Sequence, residues 1–316
     1  MNPPPRITNH RPINQRLIAP GSGEWPERLD ELGPHKPPRK LFASGRAIDP
    51  VARTVAVVGT RRPTAAGIEA AEMIAKGLAQ AKFVVVSGLA VGIDAAAHRA
   101  ALEAEGHTIA VIGGGMDVNY PKNNLSLRRK IDAHGTVVTE YPEGTPPLQH
   151  HFPLRNRIIV GLCEAVVVVE GSVKSGALIT GRLALDANRE VFAVPGSIRN
   201  PYAEGPNELI RCMEATAITQ VQHIFDALAP GMVWEQDALP LGPVGVDENQ
   251  RVVLSVLDDA AVTTDFIVTH TQLAQGLVLL TLSKLEIRGL VKRWNGAYEL
   301  TSSGARVRAA LAERHQ

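Results

Sequence analysis

The chain has 316 residues, of which 45% are hydrophobic and 21% charged, and its formal net charge is +1. This composition is typical of a globular protein with a large core and two domains, and it excludes nucleic-acid binding driven by the charge of the whole chain. The two cysteines exclude a disulfide framework, and no run approaches the roughly 20 apolar residues that a membrane span needs. The N-terminus lacks the apolar core of a signal peptide, so we expect a cytoplasmic protein.

The N-terminal part combines prolines with isolated apolar residues. Residues 1–23 are rich in Pro, Asn and Arg, which predicts an extension that is disordered or loosely docked. Between residues 25 and 48, short apolar anchors stand among prolines, which predicts a segment that wraps the edge of a larger domain. These anchors are Trp25, Leu29, Leu32, Leu41 and Phe42.

Residues 24–228 alternate between β-branched runs and helical patterns. Runs this apolar are typical of parallel strands covered on both faces, and the alternation predicts an α/β fold, an extended Rossmann-like, doubly wound parallel sheet. The predicted strands are Thr54–Gly59, Phe83–Gly88, Thr108–Gly113, Thr136–Glu140, Ala165–Glu170 and Glu190–Gly196. The predicted helices are Thr64–Gln80, Ile93–Glu105, Asn123–His134, one from Pro153, one after the loop GSVKSG, and Pro206–Met213.

A linker and a second domain follow. Residues 229–247 are rich in proline and glycine, which is typical of a linker. In residues 248–316 we predict three helices and a hairpin that turns at Asn295–Gly296 in a type I′ turn. This combination predicts a small winged-helix domain. The predicted helices are Asn249–Asp258, Thr264–His270 and Thr271–Gly289.

The loop GSVKSG opens directly from a buried strand into a helix. Such a junction presents free backbone N–H groups and the positive end of a helix dipole, which together bind anions. Lys174 adds a mobile charge, and Ser175, Gly176 and Thr180 lie at the start of the helix. We interpret this loop as a phosphate site; a solvated loop with a helix cap is the alternative.

The segment HFPLRNR precedes that strand and brings an aromatic ring and cations to the same region. If a helix begins at Pro153, Arg155 and Arg157 lie about 200° apart around it, so both cannot face one ligand. We assign Arg155 to the ligand and expect Arg157 to pair internally, with Glu140 or Glu170. Phe152 offers a stacking surface, although core filling explains it equally well. The neighbouring Asn156 is a further candidate contact. A phosphate site, a stacking surface and an arginine within one unit point to a nucleotide or a nucleic-acid strand.

Three other strand ends carry candidate residues. Gly59-Thr60-Arg61 lacks the G-x-G-x-x-G fingerprint, which excludes an NAD dehydrogenase, and Arg61 can face an anion or be a surface residue of a tight turn. Ser87 and Gly88 end the second strand at the same edge. Gly113-Gly114-Gly115 either lets the backbone approach a ligand or only connects two elements.

No catalytic residue, metal or cofactor is expected. Asp94 and His98 lie four residues apart on one predicted helix, but two candidate ligands do not make a metal site. We expect Asp94 to act as a helix-start carboxylate with His98 packed behind it.

In the C-terminal domain, the cations Arg288, Lys292 and Arg293 stand where winged helices often meet DNA. The preceding helix is almost wholly apolar, so it is poorly equipped to read base edges in a major groove. Contact with duplex DNA and contact with a protein both stay open for this domain.

Taken in order, several segments resemble the DprA/Smf family, DNA-processing protein A. The resemblance spans roughly residues 25–210, and the tail LEIRGLVKRWNGAYEL resembles the winged-helix domain of many members. The segments are WPERLDEL, LFASG, VAVVGTRRPTAAG, VVSGLAVGIDAAAH, TIAVIGGGMDVNYP, TEYPEGTPP, FPLRNRIIVGL, KSGALIT, FAVPGS and GPNELI.

The resemblance implies a homodimer that binds single-stranded DNA without sequence preference. It further implies loading of the RecA recombinase onto incoming DNA during natural transformation, with displacement of single-strand-binding protein. By motif, it assigns DNA contact to Arg61, Ser87, Gly88, Arg155 and residues 174–176.

The chain departs from the family pattern at two places. Val91 stands where the motif usually has Arg, and Arg211-Cys212-Met213 replaces the usual glycine-alanine. Two other function classes compete with DNA binding: a nucleoside-monophosphate phosphoribohydrolase, whose PGGxGTxxE motif reads EGSVKSGALIT here, and a regulator that binds duplex DNA through the winged helix.

Overall fold

The computed structural model describes residues 15–232, 246–257, 261–294, 296–301, 304–305, 307–308 and 311. The chain divides into two compact units, Met1–Gln236 and Asp237–Gln316, called below the N-terminal and C-terminal units. The linker predicted at residues 229–247 straddles this division and lies mostly outside the described residues.

The N-terminal unit is built on one sheet, which has nine strands among the described residues, in the order β1-β2-β6-β5-β4-β3-β7-β8-β9. Strands β3 to β9 run parallel, and β1 and β2 add an antiparallel edge. The strand order reverses between β3 and β7, which makes the carboxyl ends of these two strands the topological switch point. The strands are β1 Arg16–Ile18, β2 Leu41–Gly45, β3 Thr54–Val58, β4 Val84–Ser87, β5 Thr108–Val111, β6 Thr136–Thr139, β7 Ala165–Val168, β8 Glu190–Ala193 and β9 Thr216–Ala217.

Helices cover both faces of this sheet. Because successive side chains of a strand point to opposite faces, Ala56 and Val58 belong to the core under the helices His151–Leu162 and Gly176–Asp186, whereas Val55 and Val57 belong to the core under the helices Ala65–Gln80 and Ile93–Glu103. The predicted doubly wound α/β fold is therefore confirmed. The helices are α1 Ala65–Gln80, α2 Ile93–Glu103, α3 Leu125–His134, α4 His151–Leu162, α5 Gly176–Asp186, α6 Glu204–Arg211 and α7 Gln222–Leu228.

The N-terminal segment is more ordered than its composition predicts. Residues 1–14 lie outside the described part, but β1 pairs with β2 and the Arg16 guanidinium bonds the Glu24 carboxylate at 2.7 Å. The expectation of a disordered or loosely docked extension over residues 1–23 is thus wrong from residue 15 onward. The predicted anchors at Leu41 and Phe42 are part of β2 itself. A three-residue edge strand is stabilised by its partner strand, which a composition window does not reveal.

Within its described residues, the C-terminal unit contains the three helices and the three-stranded sheet given below, and the strand order in the sheet is β10-β12-β11. Leu254, Ile267, Leu282 and Val291 meet in its core. This arrangement confirms the predicted winged helix. Its elements are α8 Glu248–Val256, β10 Val262–Thr263, α9 Thr264–Thr271, α10 Gln275–Ile287, β11 Val291–Trp294 and β12 Ala297–Leu300.

Two details of this unit differ from the sequence-based boundaries. The helix expected from Thr271 begins at Gln275, because Gln272 adopts the left-handed conformation (φ 57°) that ends α9. Asn295 of the predicted hairpin turn lies outside the described residues, whereas Gly296 has φ +83°. Over the part of the chain that is described, no single helix meets the length and hydropathy of a membrane span. The pair α9 and α10, bent by 113°, meets them only jointly.

Candidate functional site

A cleft of about 780 Å³ opens at the switch point of the N-terminal unit. It lies where the loops after β3 and β7 meet the first turns of α4 and α5, the place where open α/β sheets bind ligands. This feature, called the switch-point cleft below, is lined by residues that include Thr60, Arg61, Arg62, Asp94, Tyr120, Phe152, Arg155, Asn156, Ser175, Gly176 and Thr180.

An arginine and two aromatic rings form one wall of the cleft. The exposed Arg61 places its guanidinium carbon 5.4 Å from the centroid of the Phe152 ring, within range of a cation–π contact. The ring of Tyr120 lies 5.5 Å from that of Phe152 at 36°. Phe152 is half-buried and borders the cleft, so core filling does not account for it alone. Sequence reasoning missed Tyr120 and Arg62, although an aromatic residue after three glycines and a second arginine after GTR were visible signals.

Arg155 reaches the edge of the sheet, as the helical geometry predicted, but it is buried, with 5% of its surface exposed. Its Nη1 donates to the carbonyl of Gly88 at 2.7 Å and to that of Val111, and its Nε donates to Asn156 Oδ1 at 3.2 Å. Burial lowers the pKa of Arg155 to about 10, so the group stays charged at neutral pH. Arg155 therefore borders the cleft while its hydrogen bonds hold two strand ends in place.

The peptide of Gly88 is fixed from both sides by buried charges. Its N–H donates to Asp94 Oδ2 at 3.2 Å, and its carbonyl accepts from Arg155. Burial raises the pKa of Asp94, and the charge of Arg155 opposes that rise. Both backbone polar groups of Gly88 are therefore occupied in this conformation. Gly88 borders a small recess beside the cleft, and its contact with DNA stays a prediction.

Ser87 does not face the cleft. The residue has 0% of its surface exposed, and its Oγ donates to the Val57 carbonyl at 2.6 Å on the neighbouring strand. The predicted direct contact of Ser87 with DNA is therefore wrong for this conformation, because the hydroxyl satisfies a buried backbone group.

The start of α5 lies where the loop GSVKSG predicted a phosphate site, and the binding of an anion there stays a prediction. Ser175 caps the helix by accepting from the Leu178 amide at 3.3 Å, and Lys174 is exposed on the loop before it. The first N–H groups of a helix have no partner within the helix, so Gly176 presents the positive end of α5 to the cleft. Thr180 differs from expectation: it is 2% exposed and its hydroxyl donates to the Gly176 carbonyl at 2.9 Å, which leaves it a structural role.

Glu170, in the loop after β7, bonds two neighbouring segments of the N-terminal unit. Its carboxylate accepts from the Thr64 amide at 2.9 Å, from the Thr64 hydroxyl at 2.7 Å and from Asn200 Nδ2 at 2.9 Å. It thus joins the start of α1 to the loop before α6. Arg157, for which Glu140 and Glu170 were the two predicted partners, pairs with Glu140. The internal pairing of Arg157 is confirmed.

Asp94 and His98 occupy the places that the sequence predicted for them. Asp94 is in the first turn of α2, and the fully buried His98 shares a hydrogen bond of 2.7 Å between its Nδ1 and Thr108 Oγ1. Burial lowers the pKa of His98 to about 3, so its ring is neutral. The described residues contain no group of three or more His, Cys, Asp or Glu side chains arranged to hold a metal ion.

In the C-terminal unit, each candidate wing cation has an internal partner. Arg288 donates to Gln250 Oε1 at 3.0 Å, Lys292 pairs with Glu299 at 2.8 Å, and the Arg293 guanidinium lies 5.8 Å from the Tyr298 ring. All three cations are nevertheless exposed at the surface, so their contact with DNA stays a prediction.

Comparison with known proteins agrees with this architecture. Residues 16–229 match the family model for DNA recombination-mediator protein A, and residues 237–297 match the DprA winged helix domain. The chain belongs to the DprA/Smf family. Among curated DprA/Smf relatives, DNA processing protein DprA of Bacillus subtilis is 46% identical over 226 residues, which cover 71% of this chain and 75% of that protein. Protein Smf of Escherichia coli is 35% identical over 292 residues, covering 90% and 77%.

Solved DprA structures share the fold. DprA of Streptococcus pneumoniae superimposes with a TM-score of 0.64 at 42% identity, covering 67% of this chain and 74% of that one. DNA processing protein A of Helicobacter pylori superimposes with a TM-score of 0.62 at 28% identity, covering 70% and 98%. The latter structure is described as showing a single-stranded DNA binding mode.

Proposed function

We propose that this DprA/Smf chain binds single-stranded DNA in the switch-point cleft without sequence preference and without catalysis. The observation that carries the proposal is the Arg61–Phe152–Tyr120 wall standing beside the positive end of α5. The single-stranded DNA binding described for the Helicobacter pylori relative supports it.

The chemistry of the cleft suits a backbone and an unpaired base. The exposed Arg61 and Arg62 line the cleft and attract phosphates together with the start of α5, and the exposed Lys174 adds a charge on the loop residue next to the lining residue Ser175. Phe152 offers a ring on which a base can stack, an interaction worth about 1–3 kcal/mol for any base. This combination binds a strand without reading its sequence, because every base has a stacking face.

Further steps follow from family membership. We propose that the bound strand is handed to RecA recombinase, as in natural transformation, that single-strand-binding protein is displaced, and that the chain acts as a homodimer in the cytoplasm. The enzyme alternative, a nucleoside-monophosphate phosphoribohydrolase, lacks support in the loop EGSVKSGALIT, which has neither the paired glycines nor the downstream glutamate of that chemistry.

The first experiment is fluorescence-anisotropy binding of labelled oligo-dT over a salt series. It compares the wild type with Arg61→Ala/Lys174→Ala and with the control Lys76→Ala/Arg129→Ala, which removes the same charge from exposed helix positions outside the cleft lining. Each phosphate neutralised contributes about −0.7 to the slope of log affinity against log salt. We expect the site variant to bind weakly with a slope shallower by about one to two units. Equal binding by wild type and both variants would overturn the assigned site.

A further inference from the structure

Two exposed cations stand just before β2, at the same edge of the sheet as the switch-point cleft. Because β2 runs antiparallel to β6 and Phe42 lies opposite Thr139, the residues that precede β2 lie at the carboxyl end of β6. The carboxyl ends of β6, β3 and β7 share one edge, since these strands all run parallel. Arg39 and Lys40, called the β2 cation pair below, therefore lie on the edge that carries the cleft.

The β2 cation pair has charge to offer to a ligand. Both side chains are exposed, and among the described residues neither takes part in an ion pair. The Lys40 ammonium lies 5.3 Å from the centroid of the Phe42 ring. Phe42 packs against a core cluster that includes Ile112 and Met116, two residues of the loop that carries Tyr120. Lys40 is thus linked through Phe42 to the loop that supplies Tyr120 to the wall of the cleft.

Packed rings join this end of the edge to the cleft. Tyr141 follows β6, and its ring stacks on that of His151 with 4.1 Å between the centroids. His151 is the first residue of α4 and directly precedes Phe152, whose ring lines the cleft. These contacts hold the β2 cation pair and the aromatic wall of the cleft at a fixed separation.

That separation suits a nucleic-acid strand. In the sheet order β2 and β3 are four inter-strand steps apart, which at about 4.8 Å per step places the pair about 19 Å from the loop of Arg61. At about 3.4 Å per nucleotide in a stacked strand, this distance corresponds to about six nucleotides, and to fewer in an extended strand. A free phosphate or a single nucleotide is too short to reach both places, whereas a strand reaches them together.

The carboxylates in the loops along this edge are mostly engaged. Glu140 pairs with Arg157, and Asp117 accepts from the Gly144 amide at 2.8 Å, whereas Glu143 is exposed. The two cations of the pair thus outnumber the exposed carboxylate of the loops after β5 and β6. The balance of charge at this end of the edge favours phosphates.

We propose that the β2 cation pair is a second contact for the backbone of single-stranded DNA, which runs from the switch-point cleft across the carboxyl ends of β4, β5 and β6. This inference rests on the proposed binding of single-stranded DNA in the cleft. Arg39 and Lys40 bind phosphates of the same strand that Arg61 contacts, about six nucleotides away. Because the pair contacts the backbone alone, it adds affinity and orientation but no sequence preference.

The test is fluorescence-anisotropy binding of oligo-dT of about 16 nucleotides over a salt series. It compares the wild type with Arg39→Ala/Lys40→Ala and with the control Lys36→Ala/Arg46→Ala. The control removes the same two residue types, also from exposed positions, but toward the opposite edge of the sheet. Arg46 directly follows β2, and Lys36 follows a histidine that pairs with Asp186 at the end of α5.

We expect Arg39→Ala/Lys40→Ala to make the slope of log affinity against log salt shallower by about 1.4, which is about 0.7 for each of two phosphates. Between about 1 M and about 50 mM salt, this change amounts to a factor of about 60 in affinity. The control should keep the wild-type slope. A titration far above the dissociation constant should give the same number of bound strands for all three proteins, because both contacts belong to one strand.

The outcomes separate the inference from the proposed function. A wild-type slope in Arg39→Ala/Lys40→Ala, or a change equal to that of the control, would overturn the second contact while leaving strand binding in the cleft intact. Loss of half the bound strands in this variant would overturn the single path, because the pair would then belong to a separate site. Absence of oligo-dT binding by the wild type would overturn the proposed function itself. Circular dichroism shows whether each variant is folded.

Discussion

Replacing Arg155 tests whether this residue holds the site together or contacts DNA. In Arg155→Met the carbonyls of Gly88 and Val111 lose their donor. An unsatisfied buried carbonyl costs about 1–3 kcal/mol, and removing one member of a buried charge pair costs about 3–5 kcal/mol. Asp94 stays buried with its opposing charge gone. We therefore expect the N-terminal unit to lose about 3–5 kcal/mol of unfolding free energy, which in a domain of this size lowers Tm by about 6–20 °C.

Thermal unfolding at neutral pH measures the stability, and the salt slope for oligo-dT at a temperature where the variant is folded measures the DNA contact. The control is Arg182→Met, which breaks an exposed ion pair with Glu214 and should change stability by about 1 kcal/mol or less. If Arg155 only positions the strand ends, Tm should fall markedly in Arg155→Met and the salt slope for oligo-dT should stay unchanged. A Tm within about 2 °C of the wild type, together with a slope shallower by about 0.7, would refute the reasoning, because it would mean that Arg155 neutralises a phosphate.

Three further variants test other parts of the structure. Phe152→Leu retains much of the apolar volume but removes the ring, so oligo-dT affinity should fall by about 1–3 kcal/mol with little change in Tm; unchanged affinity in the anisotropy assay would contradict stacking. Gly67→Ala would place its Cβ 2.2 Å from Glu170 Oε2, so the free energy of unfolding measured in urea should fall by about 1–3 kcal/mol. An unchanged free energy of unfolding would contradict this packing. The folded pKa of His98 is depressed to about 3, so its contribution to stability is present above pH 6.5 and is lost as pH falls toward 3. Between pH 7.5 and 5.5 the free energy of unfolding of the wild type should fall by about 1.4 kcal/mol more than that of His98→Gln, as measured by urea denaturation. Equal losses in the two proteins would contradict the assignment of a buried, neutral His98.

The sequence predicted the repeating strand–helix units and the sides of α4 on which Arg155 and Arg157 lie. The β-branched runs located the parallel strands β3 to β8, whereas the two-residue parallel strand β9 was not predicted. The 200° separation assigned Arg157 to an internal partner and Arg155 to the sheet edge. Helical spacing does not show how deeply a side chain is buried, however, so the burial of Arg155 was not predictable. The strand Arg16–Ile18 was missed because its stability comes from pairing with a strand about 25 residues away.

The roles of individual polar residues were harder to predict than their positions. Ser87 follows a buried strand, which is equally typical of a ligand contact and of a hydroxyl that satisfies a neighbouring carbonyl. Tyr120 stands out in the sequence as an aromatic residue after three glycines, but its contact with Phe152 became evident only when the fold brought the two rings together. Both cases depend on which residues of other strands and loops stand opposite, and a single sequence does not contain that information.

Asp94 and Arg155 both hydrogen-bond the backbone of Gly88, and these bonds constrain which substitutions the three positions can accept during evolution. A side chain at position 88 would begin 2.6 Å from Arg155 Nη2 and 2.7 Å from Asp94 Oδ2, so the glycine, the aspartate and the arginine constrain one another. A substitution at one of the three creates a defect that only a matching change at the other two can relieve. These positions should therefore drift as a unit, and second-site revertants of a change at one of them should map to the other two.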